Sequence, residues 1–176
     1  MGPQPGEPPT VVALHVAPGR RLPMRSVPSV QVETGTGIVG DRYHGSRHRH
    51  VTVQSSDGLA TAGERLGTPV PAEGTRRNVT VSHGPVVSVP GARARVGEVL
   101  LEVVRVAAPC RVLDDEVAPG AAAALHGLAG TVFRVVESGR MVVGDAYEEL
   151  PFDPDEAAER ARRSRTAARS PGPGLP

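Results

Sequence analysis

Apolar positions along this chain come in short runs, and most of those runs alternate with polar residues in the manner of half-buried strands. Val11, Val12, Leu14 and Val16 mark a first strand, and Val30 and Val32 mark a second over residues 29–33, with residues 18–28 read as the loop between them. Val51-Thr52-Val53 is a third, and residues 77–82 a fourth. Residues 97–106 carry Val99, Leu100, Leu101, Val103, Val104 and Val106 broken only by Glu102 and Arg105, which predicts a strand covered on both faces. Helix signals are few. Residues 57–66 follow Ser55, Ser56 and Asp57, any of which suits an N-cap, and residues 121–128 form a short alanine-rich helix. Residues 131–137 and 141–143 flank Ser138-Gly139-Arg140, which reads as a hairpin turn. The pattern predicts a mainly β domain with a few short helices over residues 10–150. A Pro/Gly-rich arm over residues 1–9 is expected to be disordered. Residues 151–176 form a charged tail, helical or disordered. Its acids precede its arginines, as a helix dipole favours, but it lacks an apolar stripe.

Composition agrees with one domain: 176 residues, with 21 glycines and 18 prolines punctuating short elements. The aromatics are Tyr43, Phe133, Tyr147 and Phe152 alone. Stacking platforms for single-stranded nucleic acid are therefore missing. A net charge of +1 provides no global field for nucleic acid or a membrane surface, and no apolar run reaches spanning length. All 20 basic residues are arginine. Without lysine no internal Schiff base forms, which excludes pyridoxal phosphate as a covalent cofactor of the usual kind. The N-terminus lacks a basic segment followed by an apolar core, and a lone thiol suits a reducing compartment, so the expected location is the cytoplasm.

The candidate chemistry centres on Cys110, the single cysteine, which follows the long strand in Ala107-Ala108-Pro109-Cys110. Its uses are inert filler, a nucleophile or sulfur carrier, or a thiolate ligand to a soft metal. Three other segments bear groups that bind anions. Gly37-Ile38-Val39-Gly40-Asp41-Arg42 combines permissive backbone with an acceptor, Asp41, and a bidentate donor, Arg42. Ser46-Arg47-His48-Arg49-His50 suits a phosphate-facing loop, whereas His44, His48 and His50 make only a weak zinc signal. In Arg76-Arg77-Asn78-Val79-Thr80, strand alternation places Arg76, Asn78 and Thr80 on one face and Arg77 on the other. Roles for His126 and Asp145 stay open, Asp145 reading best as a turn residue.

The order of these segments, continued by His126-Gly127-Leu128, Phe133-Arg134-Val135-Val136 and Val143-Gly144-Asp145, resembles the MOSC family, the domain found at the C-terminus of molybdenum-cofactor sulfurases and also as small stand-alone bacterial proteins. The similarity spans roughly residues 10–147. It implies a strongly bent, barrel-like sheet. It also implies the pyranopterin molybdenum cofactor, with Cys110 as metal ligand and Arg76 and Asn78 matching the Arg-x-Asn cofactor motif. His48 and Arg49 fall near the loop that contacts that cofactor, with Arg42, Arg77 and Asp41 beside it. Three functions follow as expectations. The first is reduction of N-hydroxylated small molecules, with electrons from a partner protein because no flavin or haem motif is present. The second is sulfur carriage on a Cys110 persulfide loaded by a cysteine desulfurase. The third is a non-catalytic anion-binding module.

Overall fold

A computed structural model describes residues 6–169. In chain order its strands and helices are β1 (Val11–Val16), β2 (Arg25–Val27), β3 (Ser29–Glu33), β4 (Gly37–Ile38), β5 (Val51–Ser55), α1 (Ser56–Leu66), β6 (Val79–Val81), β7 (Arg93–Val96), β8 (Val99–Val106), α2 (Val112–Glu116), α3 (Ala121–Ala124), β9 (Thr131–Glu137), β10 (Gly139–Val142), β11 (Tyr147–Glu149) and α4 (Pro154–Arg169). The chain is mainly β, as the alternation predicts.

Eight strands form one sheet in the order β11-β7-β8-β9-β5-β6-β1-β2, and β10-β3-β4 form a second. Within the large sheet only β5 and β6 pair in parallel, with α1 crossing between them; the other described pairs are antiparallel. The barrel-like expectation takes a specific form. The row does not close into a continuous ladder, but its β11 end returns to β1 at a bridge between Thr10 and Ala146. There Val11 N donates to Asp145 O at 2.8 Å and Tyr147 N donates to Pro9 O at 2.7 Å. Val11, Leu14, Val53, Val79, Leu101, Phe133 and Tyr147 meet in one core inside this curled sheet. Burial of that apolar surface is the main force holding it.

A smaller apolar cluster lies under the helices, with Leu59, Ala62, Leu113 and Leu125 among its buried members. Helix α1 starts at Ser55, whose hydroxyl accepts from Asp57 N at 3.2 Å, and stops at Gly67 in the left-handed region. Leu113 is the buried anchor of the five-residue helix α2, and it fixes the loop that carries Cys110. Gly130, just before β9, has φ +83, and a Cβ there would stand 2.1 Å from Val53 O, so β9 packs on β5 only because this residue is glycine.

Four expectations need correction. Residues 138–140 do not close a hairpin: β9 pairs with β8 and β5, while β10 leaves for the other sheet and pairs with β3. The alanine helix stops at Ala124, where a tight turn brings Leu128 N onto Leu125 O at 2.9 Å. Strands β2, β7 and β11 were not expected: β2 and β11 are three residues long with little alternation of their own, and the alternation of β7, Arg93-Ala94-Arg95-Val96, covers only four residues. The N-terminal arm is shorter than expected, because Pro9 and Glu7 carbonyls accept hydrogen bonds from Tyr147 N and the His83 ring; residues 1–5 lie outside the described residues. In the tail, α4 is largely exposed and meets the domain through Ala157 near Gly91 and through Arg160, which donates to Gly91 O at 3.2 Å. No helix among the described residues is long and apolar enough to cross a membrane.

Candidate functional site

A cavity of about 300 Å³ opens where the β1–β2 loop, the segment after β4, the turn before β6, and the chain from β8 to α2 converge. Its lining contains seven arginines (Arg20, Arg21, Arg42, Arg49, Arg76, Arg77 and Arg105), together with Tyr43, Thr75, Cys110 and Leu113, and no acid. The volume is at the small end of ligand pockets.

The floor is set by a 3₁₀ turn, Glu73–Thr75, which ends on Arg76 at φ +60, ψ 33. That left-handed step overturns the strand alternation expected for residues 76–80. Strand β6 begins only at Val79, so Arg76 and Arg77 are not on opposite faces of a strand and both line the cavity. Arg76 donates to Leu22 O at 2.9 Å and pairs with Glu116 at 3.4 Å, tying the β1–β2 loop to α2. Arg77 is buried and donates to Ala129 O at 2.8 Å and Ala108 O at 3.3 Å. Burial pulls its guanidinium down to about 10, with Arg49 adding to the effect and Cys110 opposing it. It therefore stays charged at neutral pH while lacking both its hydration and a carboxylate partner.

Asp41 and Asn78 do not line the cavity; they hold the segments that do. Asp41 accepts from Ala17 N at 2.9 Å, from Tyr43 N at 2.9 Å and from the Asn78 amide at 3.1 Å. Asn78 also donates to His15 O at 3.2 Å and accepts from Thr52 N and the Thr52 hydroxyl at 3.1 and 2.8 Å. Every polar side-chain atom of this buried pair is engaged, so the direct cofactor contact expected of both gives way to a positioning role. Arg42 and Arg49 sandwich the Tyr43 ring, their guanidinium carbons 4.5 and 4.2 Å from its centroid. Burial lowers the Arg49 pKa, and Tyr43 offsets part of that.

Cys110 is exposed and faces this cavity, one residue before the N-cap of α2. His48 is exposed and outside the lining. The three histidines do not converge on a metal. His44 pairs with Glu33 at 3.0 Å, while His50 receives Val135 N on Nδ1 at 3.0 Å and so donates from Nε2 to Ser46 O at 2.9 Å. Among the described residues no group of three His, Cys, Asp or Glu side chains is placed to bind a metal ion. Asp145 closes a turn by accepting from Val142 N at 2.7 Å, and His126 is exposed away from the lining.

The sequence reading missed Arg20, Arg21 and Arg105. The signal for Arg105 was the break it makes in an apolar strand: it lies near the end of β8, where the burial pattern runs out. Arg20-Arg21 lay in a loop with no period to read.

A family model for the MOSC domain matches residues 40–148. The chain belongs to the MOSC domain family. No curated protein matches it in sequence. Among solved structures it is similar to the YuaD protein from Bacillus subtilis, at 18% identity and TM-score 0.74 over 84% of this chain and 98% of that one. It is also similar to YiiM from Geobacillus stearothermophilus, at 20% identity and TM-score 0.67 over 82% of this chain and 76% of that one. YiiM from Escherichia coli aligns at 14% identity and TM-score 0.60 over 91% and 94% of the respective chains. At these identities the likeness is one of fold.

Proposed function

We propose that this chain binds the pyranopterin molybdenum cofactor and reduces N-hydroxylated small molecules. The observation that carries the reading is that the only thiol of the chain lines the same cavity as seven arginines. A thiolate is a soft donor suited to molybdenum, and guanidinium groups suit a terminal phosphate. Two atoms support the fit: Arg49 Nε and Arg76 Nη2 are buried and have no hydrogen-bond partner in the protein. Buried donors of this kind are normally satisfied, so a bound anion is the natural partner.

In this reading Arg49, Arg76 and Arg77 hold the phosphate, Cys110 ligates the metal, and Asp41 and Asn78 keep the arginine-bearing segments in register. The cofactor, when bound, supplies the redox chemistry. An electron pair and protons enter, the N–O bond breaks, and water leaves. The electrons come from a partner protein, because the chain brings no second redox group of its own.

The test is elemental analysis of protein made in a host that assembles the cofactor. Wild type is expected to carry molybdenum near stoichiometry, and Cys110→Ser to lose it with an unchanged circular dichroism spectrum. Molybdenum absent from both, or retained by the variant, overturns the assignment.

The exposure of Cys110 favours a second reading, sulfur carriage. The Cys110 thiolate would attack the outer sulfur of a desulfurase persulfide, and the desulfurase thiolate would leave. Intact mass after incubation with a cysteine desulfurase and cysteine should then rise by one sulfur atom, and no adduct would exclude it.

A further inference from the structure

The cavity carries more positive charge than one phosphate group neutralises, and that charge falls into two sets. Arg76 and Arg77 are buried at the floor, and Arg49 is half-buried beside them. Arg20, Arg21 and Arg105 are exposed at the mouth, with Arg42 half-buried between the sets. Of the seven, only Arg76 lies within 4.0 Å of a carboxylate among the described residues. A phosphate monoester brings about two negative charges. The floor set with Arg42 suffices for that, which leaves the mouth set unused.

The loop that carries Arg20 and Arg21 is also held in place. Arg21 and Arg76 are the described non-glycine residues with positive φ, both at 60°, and both line this cavity. Such a conformation is uncommon for a long side chain and costs energy that the surroundings must offset. The carbonyl of Leu22, next to Arg21, takes the hydrogen bond from Arg76 at 2.9 Å, so the loop at the mouth is fastened directly to a floor arginine. The two strained arginines are thus coupled through one contact.

We infer that the cavity takes two anionic groups: one on Arg49, Arg76 and Arg77, and a second of phosphate class at the mouth on Arg20 and Arg21, with Arg105 alongside. The second group is either a further phosphate on the ligand that fills the floor or the acidic group of a separate small molecule, such as the substrate. The inference rests on the cavity being an anion site, as proposed above, and does not rest on molybdenum.

The experiment is isothermal titration calorimetry on the metal-free full chain at low ionic strength, with inorganic phosphate and with pyrophosphate. Wild type is compared with Arg20→Gln/Arg21→Asn, in which asparagine tolerates the left-handed backbone at position 21. If one ligand spans both sets, pyrophosphate binds wild type at least about tenfold more tightly than phosphate, and the variant loses that gain while keeping phosphate affinity. If the groups belong to two molecules, phosphate titrates two sites in wild type and one in the variant, with no gain for pyrophosphate. Either result supports two subsites. A single phosphate site of equal affinity in both proteins, with pyrophosphate no tighter, overturns the inference while leaving the floor site standing. No binding of either anion to wild type defeats the anion-site reading itself.

Discussion

Around Glu102 three arginines meet one buried carboxylate, whereas in the cavity seven arginines have one exposed carboxylate, Glu116, at the edge. Arg93 donates to Glu102 at 2.9 Å, Arg134 donates to its other oxygen, and Arg160 of α4 lies 3.9 Å away. These side chains span β7, β8, β9 and the C-terminal helix, and they fasten the sheet to that helix. In the cavity the lone pair is Arg76 with Glu116 at 3.4 Å, and the remaining guanidinium groups find carbonyls, a tyrosine ring or water. Both clusters come from the same lysine-free composition. What separates them is satisfaction: one centres on a carboxylate, and the other leaves two buried donors, Arg49 Nε and Arg76 Nη2, with no hydrogen-bond partner. Arg160 Nε also lacks a hydrogen bond, but it has a carboxylate within reach of its charge. Arginine density alone therefore does not single out the proposed site; unpaired arginine around a cavity does.

The sharpest way to break this contrast is Arg77→Leu. Losing a buried guanidinium from the floor is expected to weaken phosphate binding about a hundredfold, roughly 2.7 kcal/mol, by calorimetry. Folding stability should fall by about 1–3 kcal/mol, because Ala129 O is left without its buried donor. A large loss of stability with intact phosphate binding would show Arg77 to be structural. Glu102→Gln is the mirror image. It leaves Arg93 and Arg134 without their anion and should cost about 2 kcal/mol in urea unfolding, the arginines' partial exposure reducing the full buried-pair penalty. Phosphate affinity should not change, and a parallel fall in affinity would erase the distinction between the clusters.

The smallest effect is expected from acid. Burial holds both His15 and His50 below 6.5, so in that range the unfolded chain binds more protons than the folded one. Stability is then level above 6.5 and declines as pH falls from 6.5 through the depressed folded values. Urea midpoints are expected to fall as the pH is taken below 6.5. His50 sits beside Arg49 and takes Val135 N on Nδ1, so its protonation loosens the scaffold of the cavity rather than either charge cluster. His50→Gln should blunt the slope, and an unchanged slope would place the acid sensitivity elsewhere.

Much of the fold was legible because burial writes itself into short-range pattern. The alternation in β3, the apolar run of β1, the nearly continuous apolar run of β8, and the Ser55 cap of α1 are local features, and the structure keeps them. Strands β2 and β11 have no such signature and that of β7 covers only four residues, since their partners supply the ladder that makes them strands. The fate of residues 138–142 could not be read either: glycine and polar residues suit a hairpin, yet Met141 finds its buried place opposite Val30 in the second sheet. In the candidate site, Cys110, Arg42, Arg49, Arg76 and Arg77 were named by residue chemistry and family order, and all line the cavity. Asp41 and Asn78 were named too, but side-chain type does not say whether a polar group faces a ligand or holds the wall behind it.

The sequence by itself determined a mainly β chain with one thiol, no lysine and an excess of arginine around a handful of glycine-rich turns. These are consequences of composition and of contacts between residues close along the chain. Only the tertiary structure decided which arginines act together. Arg20 and Arg105 are 85 positions apart and enter one cavity, whereas Arg76 and Arg77 share it through a single left-handed backbone step. The pairing of charges across such separations depends on which carboxylates the fold leaves within reach, and that is settled when distant strands close around their core.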